Sequence, residues 1–241
     1  MKKNDKIHTD TLMATTQNFL YGDKYDFIRV ENPAPTVIVL LFVPRSGSTL
    51  LACLMAQTGV LGFPLEYFAS VNTLVLQQRL SRFSIDNLAP LLSVRSSPNG
   101  VFSYKWNRSY EKDPVTRVIT KKMYPDYCIF IDRKDRNAQA LSFVKAQKTQ
   151  QWVAPKRESF VGKSELSIQS QDIDDATRIL ADTRKETEIL LGNYGVPAIR
   201  VMYEDIVEHP KKNINEIANF CGQKNTKEIS IKRVSIAKQN V

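Results

Sequence analysis

A three-layer α/β fold, with a central parallel sheet flanked by helices, is what the 241-residue sequence predicts. Three observations carry this. The run "VIVLLFV" (37–43) is apolar without alternation, the mark of a strand covered on both faces. Further strand-like runs follow at "VFSYKW" (101–106), "YCIFID" (127–132) and "AIRVMYED" (198–205). Segments of helical character separate them, so each strand is joined to the next by a crossover.

The elements follow in order. Residues 1–36 are polar and irregular and end in the turn-rich "NPAPT". After the first strand a helix is expected from Ser48 to Gln57, stopped near Gly59. "LGFPLEYFAS" (61–70) reads as a loop entering a helix at about 70–82, with a short helix over 84–94. The Pro98-Asn99-Gly100 turn opens the second strand. An amphipathic helix spans about Asn137 to Trp152, with Leu141, Val144 and Trp152 roughly on one side. Residues 153–171 are polar and contain Pro155 and Gly162, which predicts a loop or hairpin. The next helix covers about 172–192, with Asp172 as N-cap and Gly192 near its end. A last helix, 210–222, carries Pro210 in its first turn. No repeat or composition break divides the chain, so residues 1–241 read as a single domain.

Composition narrows the class. The chain is 42% hydrophobic and 24% charged, as globular proteins are. No apolar run approaches the roughly 20 residues of a membrane span, and the polar start lacks a signal core. A cytoplasmic protein without stable membrane insertion is expected. Cys53, Cys128 and Cys221 are odd in number and far apart in apolar segments, which predicts free buried thiols. With only His8 and His209 beside them, no metal-site spacing emerges. The net charge of +9 suits an anionic partner, but no run of five or six basic residues marks a nucleic-acid tail.

The chemistry concentrates at "VIVLLFVPRSGSTLLACLM" (37–55), a strand, tight turn and helix start, the layout of a phosphate loop. The nucleotide-hydrolase loop G-x-x-x-x-G-K-[ST] does not fit: Phe42 replaces the first Gly, Ser48 replaces the Lys, and the cation is Arg45. Gly47 allows close backbone approach, Ser46, Ser48 and Thr49 offer hydroxyls, and Arg45 offers a forked cation. These are parts for binding a phosphate without a metal, and no partner Asp for Mg²⁺ is evident. The fold is therefore P-loop-like in layout.

"PRSGSTLLACLMAQTGVLGFPLEYF" (44–68) resembles the 5′-phosphosulfate loop of the Stf0-type sulfotransferases, a bacterial family. "IDRKDRNAQALSFVKAQKTQQW" (131–152) resembles its 3′-phosphate segment, and "VMYEDIVEHP" (201–210) a further segment shared by sulfotransferases. The resemblance implies 3′-phosphoadenosine-5′-phosphosulfate (PAPS) as sulfuryl donor, no metal, a sugar or glycolipid hydroxyl as acceptor, and a homodimer. It places the general base at Glu66 and assigns Ser142 and a neighbouring basic residue, Arg133 or Lys134, to the 3′-phosphate. Ser103 stands where relatives often carry Gly, and Trp106 two before Arg108 departs from the pattern on the acceptor side.

The residue types suit that chemistry. Charge grows on the bridging oxygen as the S–O bond breaks, where Arg45, Ser48 and Thr49 can stabilise it. A carboxylate such as Glu66 can take the acceptor proton. Lys105 at a strand end either reaches the transferring group or faces solvent. Tyr203 packs near the adenine or belongs to the core. Lys232 and Arg233 either close over the 3′-phosphate or form a basic tail. The competing readings are a P-loop-type nucleotide kinase, which would need Mg²⁺, and a nucleic-acid-binding protein, which leaves the ordered loop without a purpose.

Overall fold

The computed structural model describes residues 18–28, 36–107, 110, 118–119, 121–153 and 166–234. The expectations for 1–17, 29–35 and most of 153–171, with His8 and Arg108, lie outside the described residues.

Four strands form one sheet: β1 (Thr36–Phe42), β2 (Val101–Trp106), β3 (Tyr127–Asp132) and β4 (Ala198–Met202). Their order is β2-β1-β3-β4 and every pairing is parallel. The register sets Leu41 beside Trp106 and Phe42 beside Ile131. Val37 to Phe42 are all buried, as an unalternating run covered on both faces requires.

The helices are α1 (Ser48–Thr58), α2 (Ser70–Arg79), α3 (Ala89–Arg95), α4 (Arg136–Thr149), α5 (Ser170–Tyr194), α6 (Tyr203–Glu208) and α7 (Pro210–Phe220). α4 packs on α5, and α1 packs on α7. Gly59 caps α1 in the left-handed region at φ 66°, as its place after the apolar run implied.

Several boundaries differ from the sequence reading. The strand expected to reach 205 stops at Met202, and α6 begins at Tyr203, with Glu204 and Asp205 in a first turn that favours anions. α2 ends at Arg79 rather than 82, and residues 84–88 form a turn before α3. α4 ends at Thr149, capped by Gln150 at φ 57°, so Trp152 lies beyond it while still packing edge-on against Phe143. Asp172 is not the N-cap of α5: Gln169 is, and Asp172 closes the capping box from the third helical position. Gly192 is the third residue from the end of α5, as expected, and Gly195 caps the helix at φ 58°.

β1 connects outward to β2, and β3 connects outward to β4 on the other side. Their carboxyl ends therefore border the crevice where the strand order reverses, the usual ligand site of an open parallel sheet.

Residues 18–28 pack under the loop that follows α1. Arg95, fully buried, donates to the carbonyls of Leu20 and Gly22 and pairs with Asp26 at 3.2 Å. Tyr21 packs edge-on against Tyr67, and its hydroxyl meets the backbone of Glu66. The three cysteines are free and buried; burial pushes the Cys53, Cys128 and Cys221 thiols up to about 12, which leaves them inert. Among the described residues no helix is long and apolar enough to cross a membrane.

Candidate active site

The turn from β1 into α1 is the centre of the site. Arg45 holds φ 64°, the left-handed region, at a strain on the order of 1–3 kcal/mol for a non-glycine residue. Gly47 holds φ 83° as the N-cap of α1 and supplies no side-chain acceptor to the helix's first N–H groups. A Cβ on Gly47 would lie 2.3 Å from the Tyr203 ring, so its small size admits that ring directly. Ser48 begins the helix, and Thr49 follows on the first turn.

The Arg45 guanidinium crosses to the neighbouring loop. Its Nε donates to Ser142 Oγ at 2.9 Å and its Nη1 to the Trp152 carbonyl at 2.6 Å. Burial, with Arg133 nearby, pulls the group down to about 10, which leaves it cationic at neutral pH. The two segments singled out in the sequence, residues 45–49 and 133–142, therefore meet in space.

Arg133 and Lys134 part company. The Arg133 guanidinium sits 5.0 Å over the Tyr203 ring, which itself lies against Gly47. Its Nε is buried without a hydrogen bond, the Glu204 carboxylate lying 3.8 Å away. Lys134 turns outward instead, paired with Asp205 on α6, and that pair raises its pKa. Of the two basic residues, Arg133 faces the loop and Lys134 faces Asp205.

Glu66 stands on the far side of the same turn. Its segment is pinned beside β2, because Leu65 bridges Tyr104 and the Leu65 carbonyl accepts from the Lys105 N–H at 2.9 Å. Lys105 is buried at the end of β2, not solvent-facing. Its Nζ lies 3.0 Å from Glu66 Oε1 and 3.1 Å from Thr49 Oγ1, linking the carboxylate to the phosphate loop. The Tyr110 hydroxyl donates to Glu66 Oε2. Burial disfavours the Glu66 carboxylate, but Lys105 and the Tyr110 hydroxyl outweigh it and hold the group below its ordinary range. Burial, and then Glu66 itself, push Tyr110 well above its ordinary range, so it remains a donor.

A cavity of about 180 Å³ opens between these groups, lined by Arg45, Ser48, Thr49 and Glu66 and walled by Phe42, Pro44, Tyr110 and Trp152.

Behind the loops, Asp132 accepts from Arg136 at 2.6 and 2.9 Å and from Arg184 at 2.8 and 3.2 Å. Burial opposes its charge, yet the two guanidiniums hold its carboxyl below the usual range. Ser230 is pinned by both backbone groups to Gln57 at the far end of α1, and Arg233 pairs with Glu228. Nine residues of helix, about 13 Å, separate Gln57 from Ser48. The segment holding Lys232 and Arg233 is thus anchored away from the loop.

Tyr110, Asn107 and the Trp152 carbonyl were not foreseen. Asn107 holds the Phe42 carbonyl at 3.1 Å, and nothing in "KWNRSY" marks either residue. Gln139 also escaped, although its position three before Ser142 puts the two on one helix face.

The model of the Stf0 sulphotransferase family matches residues 102–240, more than half of the chain. The match takes in Lys105, Arg133, Ser142 and Tyr203 and begins after the phosphate loop and Glu66. No curated protein sequence matches the chain. Among solved structures, a sulfotransferase domain from the Synechococcus PCC 7002 olefin synthase is similar at 18% identity and TM-score 0.49, covering 82% of this chain and 77% of that one. A sulfotransferase domain from the curacin biosynthetic pathway is similar at 18% identity and TM-score 0.46, covering 80% and 75%. Retinol dehydratase, in complex with androsterone and the inactive cofactor PAP, is similar at 14% identity and TM-score 0.41, covering 90% and 67%.

Proposed function

The chain belongs to the Stf0 sulphotransferase family, and from that premise we propose that it transfers a sulfuryl group from PAPS to a hydroxyl of a sugar or glycolipid. The observation that carries this reading is the shared cavity: Glu66 and the phosphate-loop residues Arg45, Ser48 and Thr49 line the same space.

The residues fit the donor. The uncapped N-terminus of α1, with the Ser48 and Thr49 hydroxyls, suits its 5′-phosphate. Arg133, whose Nε is buried without a hydrogen bond, and Ser142 suit its 3′-phosphate. Tyr203, in contact with Gly47 and beneath the Arg133 guanidinium, suits the nucleoside. The donor supplies an electrophilic sulfur with a phosphate leaving group.

Glu66, ionised at neutral pH, takes the proton of the acceptor hydroxyl as that oxygen attacks sulfur. The S–O bond to the 5′-phosphate breaks and its electron pair stays on the phosphate oxygen. Arg45, with Ser48 and Thr49, stabilises that oxygen where charge grows. Lys105 sits between Glu66 and Thr49 and serves the charge passing from one side to the other. Phe42, Trp152 and Tyr110 give the acceptor ring an apolar wall.

The test is release of adenosine 3′,5′-bisphosphate from PAPS across a panel of sugars and glycolipids. Glu66→Gln should lower turnover by on the order of 10²–10⁴ while bisphosphate affinity stays nearly intact. Turnover by the Gln variant equal to wild type would remove Glu66 from the mechanism.

A further inference from the structure

The strained Arg45 peptide has a dedicated support. The carbonyl of Pro44, the residue before it, accepts a hydrogen bond from Gln139 Nε2 at 2.8 Å. That carbonyl belongs to the peptide plane leading into Arg45, so holding it fixes the plane on which the left-handed φ of Arg45 turns. Gln139 is completely buried on α4.

The orientation of its amide is dictated. Arg184 Nη2, 3.1 Å from Gln139 Oε1, can only donate, so the oxygen must face it and the NH₂ must face Pro44. Arg184 is itself locked, because its Nε and Nη2 also bind the Asp132 carboxylate at 2.8 and 3.2 Å. Asp132 in turn accepts from the backbone N–H of Arg133 at 2.8 Å. One chain of hydrogen bonds therefore runs from the Arg133 backbone through Asp132, Arg184 and Gln139 to the carbonyl before Arg45. It joins the two loops that border the crevice.

We infer that Gln139 is a positioning residue for the donor site: its side-chain N–H holds the phosphate loop in the conformation that presents Arg45, and Arg184 and Asp132 hold Gln139. This rests on the PAPS reading for its consequence, though the brace itself concerns only the loop.

Two variants separate holding the loop from merely filling the core. Gln139→Met keeps length and loses every polar contact. Gln139→Glu keeps an acceptor for Arg184 and loses the N–H toward Pro44. If the N–H to Pro44 is what matters, both variants bind adenosine 3′,5′-bisphosphate about tenfold or more weaker, with a matching fall in kcat, while acceptor KM stays within about twofold. If Gln139 serves only to satisfy Arg184, Gln139→Glu behaves as wild type, and the inference is overturned. Crystal structures of wild type and Gln139→Glu complete the test without any ligand. Departure of Arg45 from positive φ in the variant supports the brace, and an unchanged loop overturns it. Wild-type protein that fails to bind the bisphosphate would sink the PAPS reading, while the Arg45 backbone would still decide the brace.

Discussion

Replacing Lys105 by Met removes the cation that faces Glu66 and leaves a side chain of similar length in the buried position. In the wild type the Nζ lies 3.0 Å from Glu66 Oε1. Unit charges about 4 Å apart attract by about 4 kcal/mol at an effective dielectric of 20 and by about 1 kcal/mol in water. The Glu66 side chain is 28% exposed, so the pair falls between these limits. Losing Lys105 should therefore cost the Glu66 carboxylate about 1–4 kcal/mol of stabilisation and raise its pKa. Burial, which persists in the variant, pushes the same way, and only the Tyr110 hydrogen bond still opposes it. The direct assay is a ¹³C-NMR titration of side-chain carboxyls, with the Glu66 signal assigned by its loss in Glu66→Gln. The wild-type carboxyl should titrate below the ordinary glutamate range and the Lys105→Met carboxyl above it. Because the wild-type folded value is depressed, the stability this group contributes is present at neutral pH and fades as pH falls through the folded value. The acid limb of kcat/KM should shift upward with the NMR value. A Glu66 titration unmoved by the substitution would refute the claim that Lys105 sets the charge state of the base.

Further predictions follow from the same geometry. Arg133→Ala should weaken bisphosphate binding about tenfold or more and Lys134→Ala by less than about twofold, because Lys134 faces Asp205; calorimetric titration separates them. Gly47→Ala adds a Cβ 2.3 Å from the Tyr203 ring at φ 83°, so it should cost about 2 kcal/mol or more, lower Tm by roughly 4–8 °C and weaken bisphosphate binding. Asp132→Ala strips Arg136 and Arg184 of a buried partner. It should cost about 3 kcal/mol, which a denaturant melt measures at pH 7. Asp132 is depressed in the folded state, so that difference should shrink as pH falls through its folded value.

Much of the frame was legible because its signals are local. A seven-residue, β-branched apolar run ending at a Pro and Gly turn reads as a doubly covered strand, and Gly47 and Gly59, both at positive φ, mark where the helix begins and ends. β2 and β3 match their expected bounds residue for residue, because each is a short β-rich run between polar turns. The strand expected to reach 205 stops early for an equally local reason: Glu204 and Asp205 favour the first turn of a helix. The site was legible as a set of residue types but not as a set of contacts. Lys105 read equally as a surface lysine, because Thr49 and Glu66 lie far away in sequence. Tyr110, Gln139 and Arg184 act through partners 44 to 95 residues distant, and no periodicity encodes such pairs.

The central claim is that the crevice at the ends of β1 and β3 binds a nucleotide carrying both a 3′- and a 5′-phosphate. Calorimetric titration with adenosine 3′,5′-bisphosphate beside AMP and ATP–Mg²⁺, at two salt concentrations, tests it most directly. Strong preference for the bisphosphate without added metal, persisting at the higher salt, is the result expected from Arg45 and Arg133 facing one crevice. Equal binding of all three, or preference for ATP–Mg²⁺, would contradict it.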